Sequence, residues 1–567
     1  MDKDSAETER INMNLEPPGE EEAAEVEEES KLRAIGPPVA HILLDEYSQE
    51  DSHVTALSDQ AHASELSSKK FVIVEDTSQS QTRAFFGQII KGPVHIPEWG
   101  APKDGINVFP VVMGDKVEYV PSFQGYIEVK ILGEVKDGNH LENTFDRPYP
   151  KSRVRYPDKD YLQKLLELPQ SGGILGVLAN YKDEDIIMDM TDEIVRKQLG
   201  IFGATGSGKT NSVVVLAELL VQRDWCVIIF DHKGEYTNLN EPSEETALFQ
   251  GRWEKLGIKP KGIDSKNFRR YIPVTDKRAV PNGIKFSVRS SDIPFEILKS
   301  MMNLTEAQTE HLDEVYYILR KDGREAVGIN QLIDNLDKSQ RGGDTTKRII
   351  RSKLEGLERR GFFDSGAAVS TLQPPIFDTE PQLEVIYLTA PELIKSSTVN
   401  VIDFGNTASQ DIINIVGLNV LTLLEEAKGT IIDSSYKTKV AIFLEEAHTF
   451  FSAEYAANPQ FAHSLTGTIK RIYKIGRTFY LNPVVISQQP GDVGAGVLSQ
   501  CNTKIIHQLT DEDDIRKVGK GAAREYTNII PDLKTGAALI TSPDLLLPQL
   551  VQVRPAMANK IDPYKTS

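Results

Sequence analysis

Hydrophobic and polar positions follow different patterns in successive parts of the chain. In residues 68–190, short apolar runs are separated by Gly, Pro, Asp and Asn, which is typical of a small β-barrel followed by a connector. Residues 191–264 and 366–545 carry longer apolar runs that alternate with helical patterns, which predicts an α/β core with a parallel-rich sheet. Residues 265–365 have apolar positions at helical spacing, so we expect a helical insertion between the two parts of the core.

The amino-terminal residues 1–67 differ from the rest of the chain in charge. The 567-residue chain has a net charge of −19, and this segment supplies −14 of it, from 18 Asp and Glu against 4 Lys and Arg. Such a segment buries too little apolar surface to offset its ordering entropy, so we expect a disordered acidic tail. The other 500 residues carry only −5, and a nearly neutral body does not exclude binding to DNA.

The composition is that of an ordinary globular protein, with 40% hydrophobic and 26% charged residues. No run of about 18 apolar residues occurs, so we expect no membrane association and a cytoplasmic location. The two cysteines, Cys226 and Cys501, lie in or beside apolar runs. This placement indicates buried thiols in a reducing compartment, and two cysteines cannot build a metal site.

A glycine-rich segment stands between a predicted strand and a predicted helix of the α/β core. The apolar run 199–202 precedes it, and a helical pattern and the apolar run 225–230 follow it. Its spacing, G-x-x-x-x-G-K-[ST], is that of a phosphate-binding loop. The residues of the loop are Gly203, Ala204, Thr205, Gly206, Ser207, Gly208, Lys209 and Thr210. Strand, turn, helix and strand in this order are the setting that the motif requires, so we predict a nucleotide site here.

The residue types of this loop explain its predicted chemistry. Glycines let the backbone fold closely around a phosphate, with N–H groups and a helix N-terminus facing the anion. Lys209 places a positive charge on the outer phosphates, and the Thr210 hydroxyl is a ligand for Mg²⁺. ATP and Mg²⁺ are therefore the expected cofactors.

Acidic residues follow two further apolar runs, at positions where parallel strands would end. Glu445 and Glu446 come directly after the run 440–444, at the sheet edge that holds ligands in open parallel sheets. Glu445 is predicted to hold Mg²⁺ through water, and Glu446 to polarise the attacking water as general base. Asp231 follows the run 225–230, and it either reaches the water shell of the metal or forms a simple turn.

Another polar strand end is formed by Ser487 and Gln488, after the apolar run 484–486. Across the sheet edge, these two side chains are candidates to sense the γ-phosphate. We therefore place Gln488 in the predicted catalytic set together with Lys209 and Glu446.

With these motifs, the chain resembles the HerA family, the hexameric DNA translocases of the HerA/FtsK branch of ATPases. The resemblance covers roughly residues 69–556 and implies a RecA-like P-loop ATPase core, an N-terminal β-barrel and a helical-bundle insertion. It rests on motifs that occur in the order of the family, namely the phosphate loop, Phe443-Leu444-Glu445-Glu446-Ala447-His448, Ile475-Gly476-Arg477, Ser487-Gln488 and Ser499-Gln500-Cys501-Asn502-Thr503-Lys504-Ile505-Ile506.

The resemblance also implies an assembly and roles for further residues. Six subunits form the ring of the family, with nucleotide sites between neighbours. Arg477 occupies the position of the arginine finger, with Arg471 as the alternative by position. Lys197 stands where relatives place a basic residue that approaches the nucleotide. Residues 546–567 resemble the C-terminal extension that embraces a neighbouring subunit.

The function implied by the resemblance is ATP-driven translocation or unwinding of double-stranded DNA by a homo-hexamer. A NurA-like nuclease is the expected partner, in DNA end resection at double-strand breaks. Two alternatives stay open: a related ring ATPase that moves other cargo in conjugation or secretion, and a nucleotide-binding scaffold for a nuclease or defence complex. The presence of Lys209, Glu446 and Arg477 argues against a scaffold that does not hydrolyse ATP.

Overall fold

The structure is a computed structural model, and the chain divides into two compact units, Met1–Leu168 and Pro169–Ser567. It describes residues 35–43, 52–78, 82–97, 111–113, 116–119, 123–137, 140–181, 185–244, 251–275, 280, 283–323, 327–359, 362–364, 385–405, 409–429, 437–451 and 459–561. Each unit has a sheet of its own.

The first unit contains a closed barrel of six strands. Its elements are β1 (Ile35–Ile42), β2 (His53–Ser58), α1 (Gln60–Ala63), β3 (Phe71–Asp76), β4 (Arg83–Pro97), β5 (Val111–Met113), β6 (Lys116–Tyr119), β7 (Phe123–Lys136), β8 (His140–Glu142), β9 (Arg153–Pro157) and α2 (Lys159–Leu165). The strand order is β2-β1-β9-β3-β4-β7, and pairing of β2 with β7 closes the barrel. Alternate residues of β7, such as Ile127 and Val129, are buried inside it, as the period of a strand requires.

The predicted barrel is confirmed, but its start differs from the predicted boundary. We expected residues 1–67 to be a disordered tail, whereas β1 and β2 are two of the six barrel strands. In β2, Val54, Ala56 and Ser58 are buried and alternate with less buried residues, so this short strand has a clear inner face. Acidic residues dominate the composition of residues 1–67 as a whole. They therefore hide the alternation of apolar and polar positions in the two short strands β1 and β2. Residues 1–34 lie outside the described residues.

The second unit is an α/β fold. Its strands are β10 (Ile174–Leu178), β11 (Ile187–Asp189), β12 (Leu199–Phe202), β13 (Cys226–Asp231), β14 (Phe268–Pro273), β15 (Gly283–Arg289), β16 (Phe363–Asp364), β17 (Val385–Tyr387), β18 (Thr398–Asp403), β19 (Val440–Leu444), β20 (Leu481–Ser487), β21 (Thr503–Ile506), β22 (Ala537–Thr541) and β23 (Gln549–Val553). Its helices are α3 (Asp192–Arg196), α4 (Lys209–Val221), α5 (Arg252–Lys255), α6 (Phe295–Ser300), α7 (Glu306–Lys321), α8 (Ile329–Asp334), α9 (Asp344–Glu358), α10 (Ala390–Leu393), α11 (Gln410–Gly429), α12 (His448–Phe451), α13 (Pro459–Phe479), α14 (Ala495–Leu498) and α15 (Glu512–Val518).

The centre of this sheet is parallel and one side is antiparallel. The order is β11-β10-β23-β22-β21-β12-β20-β19-β13-β18-β14-β15-β16, and β17 also pairs with β15. All neighbours from β21 to β16 run parallel, whereas β22, β23, β10 and β11 add as antiparallel strands. Strands β12, β13 and β19 are buried throughout, as expected of strands covered by helices on both faces. The predicted parallel-rich α/β core is thereby confirmed.

Two predicted domain boundaries shift in this unit. The helical insertion was expected at 265–365, but β14 and β15 are parallel strands of the core sheet. The helices α6 to α9 of the insertion lie between β15 and β16. In the same way, β10 and β11 were assigned to the connector after the barrel, and they pair within the second sheet. The place of β10 in the sheet depends on its pairing with β23, which is distant in the chain, so the local apolar pattern does not show it.

The carboxyl-terminal segment was expected to embrace a neighbouring subunit, but through residue 561 it packs on its own chain. Strand β23 pairs with β22 and β10, and the residues after it contact helix α4. Arg554 Nη2 donates to Glu218 Oε2 at 2.8 Å, and both side chains are 2% exposed. The same carboxylate accepts the backbone N–H groups of Met557 and Ala558, both at 2.7 Å. Among the described residues, no helix is long and apolar enough to cross a membrane.

Replacing Arg554 by methionine tests this buried ion pair. The variant leaves the carboxylate of Glu218 without its guanidinium in the interior, and we expect a loss of roughly 3–5 kcal/mol in the free energy of unfolding. Urea denaturation followed by circular dichroism measures the loss.

Arg471→Met is the matched control. Arg471 pairs with Glu425 at 2.8 Å, but its side chain is 59% exposed, so its removal should cost less than about 1 kcal/mol. Equal losses in the two variants would contradict a structural role for the Glu218–Arg554 pair.

Candidate active site

The phosphate loop connects the carboxyl end of β12 with the amino end of α4. Gly206 and Gly208 have φ values of 75° and 118°, in the left-handed region that favours glycine. A Cβ on Gly208 would lie 2.9 Å from the Cα of Gly536, so a larger residue does not fit there. The first turn of α4 leaves backbone N–H groups that the helix itself does not use, which gives the loop the donors that a phosphate needs.

Lys209 is the buried cation of the loop. Its side chain is 9% exposed, and Nζ donates to the carbonyl oxygen of Ala204 at 2.9 Å. Burial lowers the pKa of Lys209 to about 8, although the nearby carboxylate of Glu446 opposes this shift. Phosphate oxygens would supply the counter-charge that this ammonium group needs in a buried position.

The hydroxyl of Thr210 is hydrogen-bonded to Glu235, a residue that was not predicted to belong to the site. Oγ1 of Thr210 donates to Oε2 of Glu235 at 2.6 Å. Glu235 belongs to the polar loop 232–236, which follows β13 at the same edge of the sheet as the phosphate loop. The signal available in the sequence was the position of this loop at a strand end.

Asp231 shapes the loop 232–236 with its carboxylate. It is fully buried, and its carboxylate accepts backbone N–H groups of residues 233–236 at 3.2, 2.7, 3.1 and 3.0 Å. Burial raises the pKa of Asp231 to about 7, and the neighbouring carboxylate of Asp403 adds to the shift. Four backbone donors engage both oxygens in this arrangement, and the metal role of Asp231 stays a prediction. The alternative of a simple turn describes the residue.

Glu445 ends β19 with a buried side chain that is 5% exposed. Its Oε2 accepts the backbone N–H of His232 at 3.2 Å. Burial raises the pKa of Glu445 well above its ordinary value, and the charges of Asp231 and Glu235 act in the same direction. A bound cation would stabilise the anionic form of such a buried carboxyl group. This is consistent with the predicted role of Glu445 as a metal ligand.

The oxygen atoms around Thr210 suit a hard cation such as Mg²⁺. The Thr210 hydroxyl, the Glu235 carboxylate and Glu445 are all oxygen donors that face the start of α4 or its neighbouring loop. Across the described parts of the chain, no three His, Cys, Asp or Glu side chains converge into a metal cage. Mg²⁺ usually takes one or two carboxylate ligands from a protein and completes its shell with phosphate and water.

Glu446 follows Glu445 in a left-handed conformation, with φ of 47°. Its Oε1 accepts two hydrogen bonds of 2.6 Å, from Lys233 Nζ and from Gln488 Nε2. Burial raises the pKa of Glu446, but the hydrogen bond and charge of Lys233 outweigh it, and the net shift is downward. The group is therefore an anion at neutral pH, as a general base must be.

Gln488 links this base to the phosphate loop. Its Oε1 accepts from Thr205 Oγ1 at 2.6 Å, while its amide nitrogen donates to Glu446. It ends β20, the strand between β12 and β19, so it stands between the two halves of the site. The structure thus brings Gln488 together with the loop and the base, and a role in sensing phosphate stays a prediction.

Two basic residues of the predicted set lie away from this edge. Lys197 comes before β12, at the amino end of the strand, and its Nζ pairs with Oδ1 of Asp544. Within one chain Lys197 is thus away from the phosphate loop, and its approach to a nucleotide stays a prediction. Arg477 is part of α13, but its side chain lies outside the described residues. The alternative finger, Arg471, forms a two-pronged ion pair with Glu425.

The strand order and the polar groups at the strand ends define a RecA-like P-loop enzyme that hydrolyses ATP. Residues 174–422 match the family model described as "Helicase HerA, central domain". This match supports membership of the HerA family.

Relatives support this assignment over most of the chain. "Probable DNA double-strand break repair helicase HerA" of Methanocaldococcus jannaschii is 24% identical over 494 residues, which cover 79% of this chain and 88% of the relative. "DNA double-strand break repair helicase HerA" of Saccharolobus solfataricus is 25% identical over 476 residues, covering 79% and 81%. The solved structure of VirB4 of Thermoanaerobacter pseudethanolicus matches 70% of this chain and 98% of that chain, with a TM-score of 0.43 and 14% identity.

Replacing Lys209 by methionine should stabilise the chain while it removes nucleotide binding. Burial disfavours the ammonium form, whose pKa falls from 10.5 to about 8. At pH 7 without nucleotide, we expect the free energy of unfolding to rise by roughly 1–3 kcal/mol. The gain should shrink as the pH rises from about 8 towards 10.5, because the folded wild-type chain then releases the proton. Urea denaturation at several pH values measures this.

Lys209→Arg keeps the charge and is the control, which should show no such gain. A methionine variant that is less stable than the wild type at pH 7 would contradict the cost of burying Lys209.

Proposed function

We propose that this ATPase is a motor that moves along or unwinds double-stranded DNA in the repair of double-strand breaks. The observation that carries the proposal is an anionic Glu446 linked through Gln488 to the phosphate loop. This hydrolysis site occurs in a chain whose relatives are named double-strand break repair helicases. A binding scaffold that does not turn over ATP has no need of such a base.

The residues divide the work of hydrolysis among themselves. Backbone N–H groups of the phosphate loop and Lys209 bind the phosphates, and Thr210 and Glu445 would hold Mg²⁺, which supplies charge stabilisation when bound. Glu446 accepts the proton of the water that attacks the γ-phosphorus, and the bond to the β–γ bridging oxygen breaks to release ADP. Gln488 keeps the base and the loop at a fixed distance from each other.

We further propose a hexameric ring in which Arg477 serves the nucleotide of a neighbouring subunit. Helix α13 ends at Phe479, and β20 begins at Leu481, so the backbone of Arg477 lies near the amino end of the strands. The phosphate loop follows the carboxyl end of β12, which runs parallel to β20. Arg477 and the phosphate loop therefore lie at opposite ends of the parallel strands of one subunit. For this reason we propose that Arg477 completes the nucleotide site of a neighbouring subunit. A NurA-like nuclease that docks on the barrel is the partner we propose for end resection.

ATP turnover with and without linear double-stranded DNA tests the proposed substrate. We expect DNA to stimulate turnover, and the stimulation to fall steeply between low and moderate salt, because contacts to phosphates release counterions. Glu446→Gln is the control that should still bind ATP but lose turnover by a factor of at least about 100. Turnover in the wild type that DNA does not change would favour a motor for another cargo.

Mixed rings test the position of Arg477. Arg477→Ala subunits and Lys209→Ala subunits should each be inactive alone, because each lacks one half of the site. Mixing them should restore part of the turnover, because an intact loop then meets an intact arginine across some interfaces. Absence of rescue, in mixtures whose co-assembly is verified by native mass spectrometry, would place the finger elsewhere.

A further inference from the structure

Lys233 holds the catalytic base in an ion pair that no family motif named above includes. Its Nζ lies 2.6 Å from Glu446 Oε1, and the two side chains are 23% and 12% exposed. Gln488 Nε2 donates to the same oxygen at 2.6 Å. Two strong donors thus engage Oε1, whereas the buried Oε2 has no hydrogen-bond partner among the described residues.

The loop that carries Lys233 lies against the phosphate loop. Glu235, two residues further on, accepts from Thr210 of the phosphate loop at 2.6 Å. On the other side, Glu446 connects through Gln488 to Thr205 of the same loop. Lys233 is thus linked to the phosphate loop in two ways. Its own loop contacts Thr210 through Glu235, and its partner Glu446 is connected to Thr205 through Gln488. The terminal phosphate must lie on the side of Glu446 for this carboxylate to act on the attacking water.

The partners of the two lysines differ in a way that matters for phosphate binding. Lys209 donates to a neutral carbonyl, whereas Lys233 is paired with an anion. A lysine ammonium group is a flexible point charge with three donors, so it can exchange one anionic oxygen for another at little cost. A terminal phosphate brings anionic oxygens to this place, and a diphosphate does not.

We propose that Lys233 is a second phosphate-binding cation, which moves from Glu446 to the γ-phosphate and thereby frees the base. This assignment rests on the proposed ATPase function of the same site. It predicts that Lys233 distinguishes triphosphate from diphosphate, and that hydrolysis begins only after the exchange. In that step Glu446 gives up the ammonium group of Lys233 and keeps the hydrogen bond from Gln488.

Titration calorimetry on the full chain, with Mg²⁺ and either AMPPNP or ADP, tests the assignment. Lys233→Met should raise the Kd of AMPPNP by about tenfold or more, as expected for the loss of a hydrogen bond between charged groups, and the Kd of ADP by less than about twofold. Lys233→Arg keeps a cation and should retain most of the preference for AMPPNP. If the methionine variant does not fold, Lys233→Gln removes the same charge.

Lys299→Met is the matched control. Lys299 also pairs with a carboxylate, at 2.5 Å from Asp313, but lies in the helical insertion, so neither Kd should change. Equal effects of Lys233→Met on both nucleotides, or no effect on either, would overturn the assignment of Lys233 and leave the ATPase intact. A wild-type chain that binds neither nucleotide would instead contradict the proposed function itself.

Discussion

The buried carboxylate of Asp231 holds the loop on which the rest of the active site depends. A carboxylate removed from water must find hydrogen-bond donors, and Asp231 takes them from the backbone of residues 233–236. The loop folded in this way directs Glu235 to Thr210 and Lys233 to Glu446. One structural acid at the end of β13 thus positions two functional side chains, although β13 is separated from β12 by two other strands.

The same loop is joined to the carboxyl-terminal segment of the chain. The backbone N–H of Ile561 donates to the carbonyl oxygen of Glu235 at 3.0 Å, and helix α4 holds the preceding residues through Glu218 and Asn211. Because Glu235 also accepts from Thr210, the hydroxyl of the phosphate loop is linked through Glu235 to the backbone of Ile561.

The sequence predicts those functional residues whose positions follow from a motif or from the end of a strand. It does not predict residues that are placed by the conformation of a loop. The phosphate loop was predicted from its spacing, and Glu445, Glu446 and Gln488 were predicted because the carboxyl ends of parallel strands meet at one edge; the structure brings them together. Lys233 and Glu235 were not found, since their direction is set by a turn that depends on backbone donors. The same reasoning missed that these donors occupy Asp231. Strand β14 was predicted as part of a helical region, because this short strand begins with Phe268-Arg269-Arg270 and has little apolar periodicity.

Charge balance explains why the pocket needs both of its lysines. Three carboxylates, those of Glu235, Glu445 and Glu446, lie close enough for Glu445 to sense the other two, and its pKa is raised accordingly. The carboxylates already make it unfavourable to add negative charge to this pocket, and a triphosphate adds more of it. The ammonium group of Lys209 alone does not balance these charges. Without nucleotide, Lys233 neutralises Glu446. When a triphosphate binds, Lys233 can pair with its terminal phosphate instead. In this exchange Lys233 stays paired with an anion, whereas Glu446 gives up its cation and keeps the hydrogen bond from Gln488.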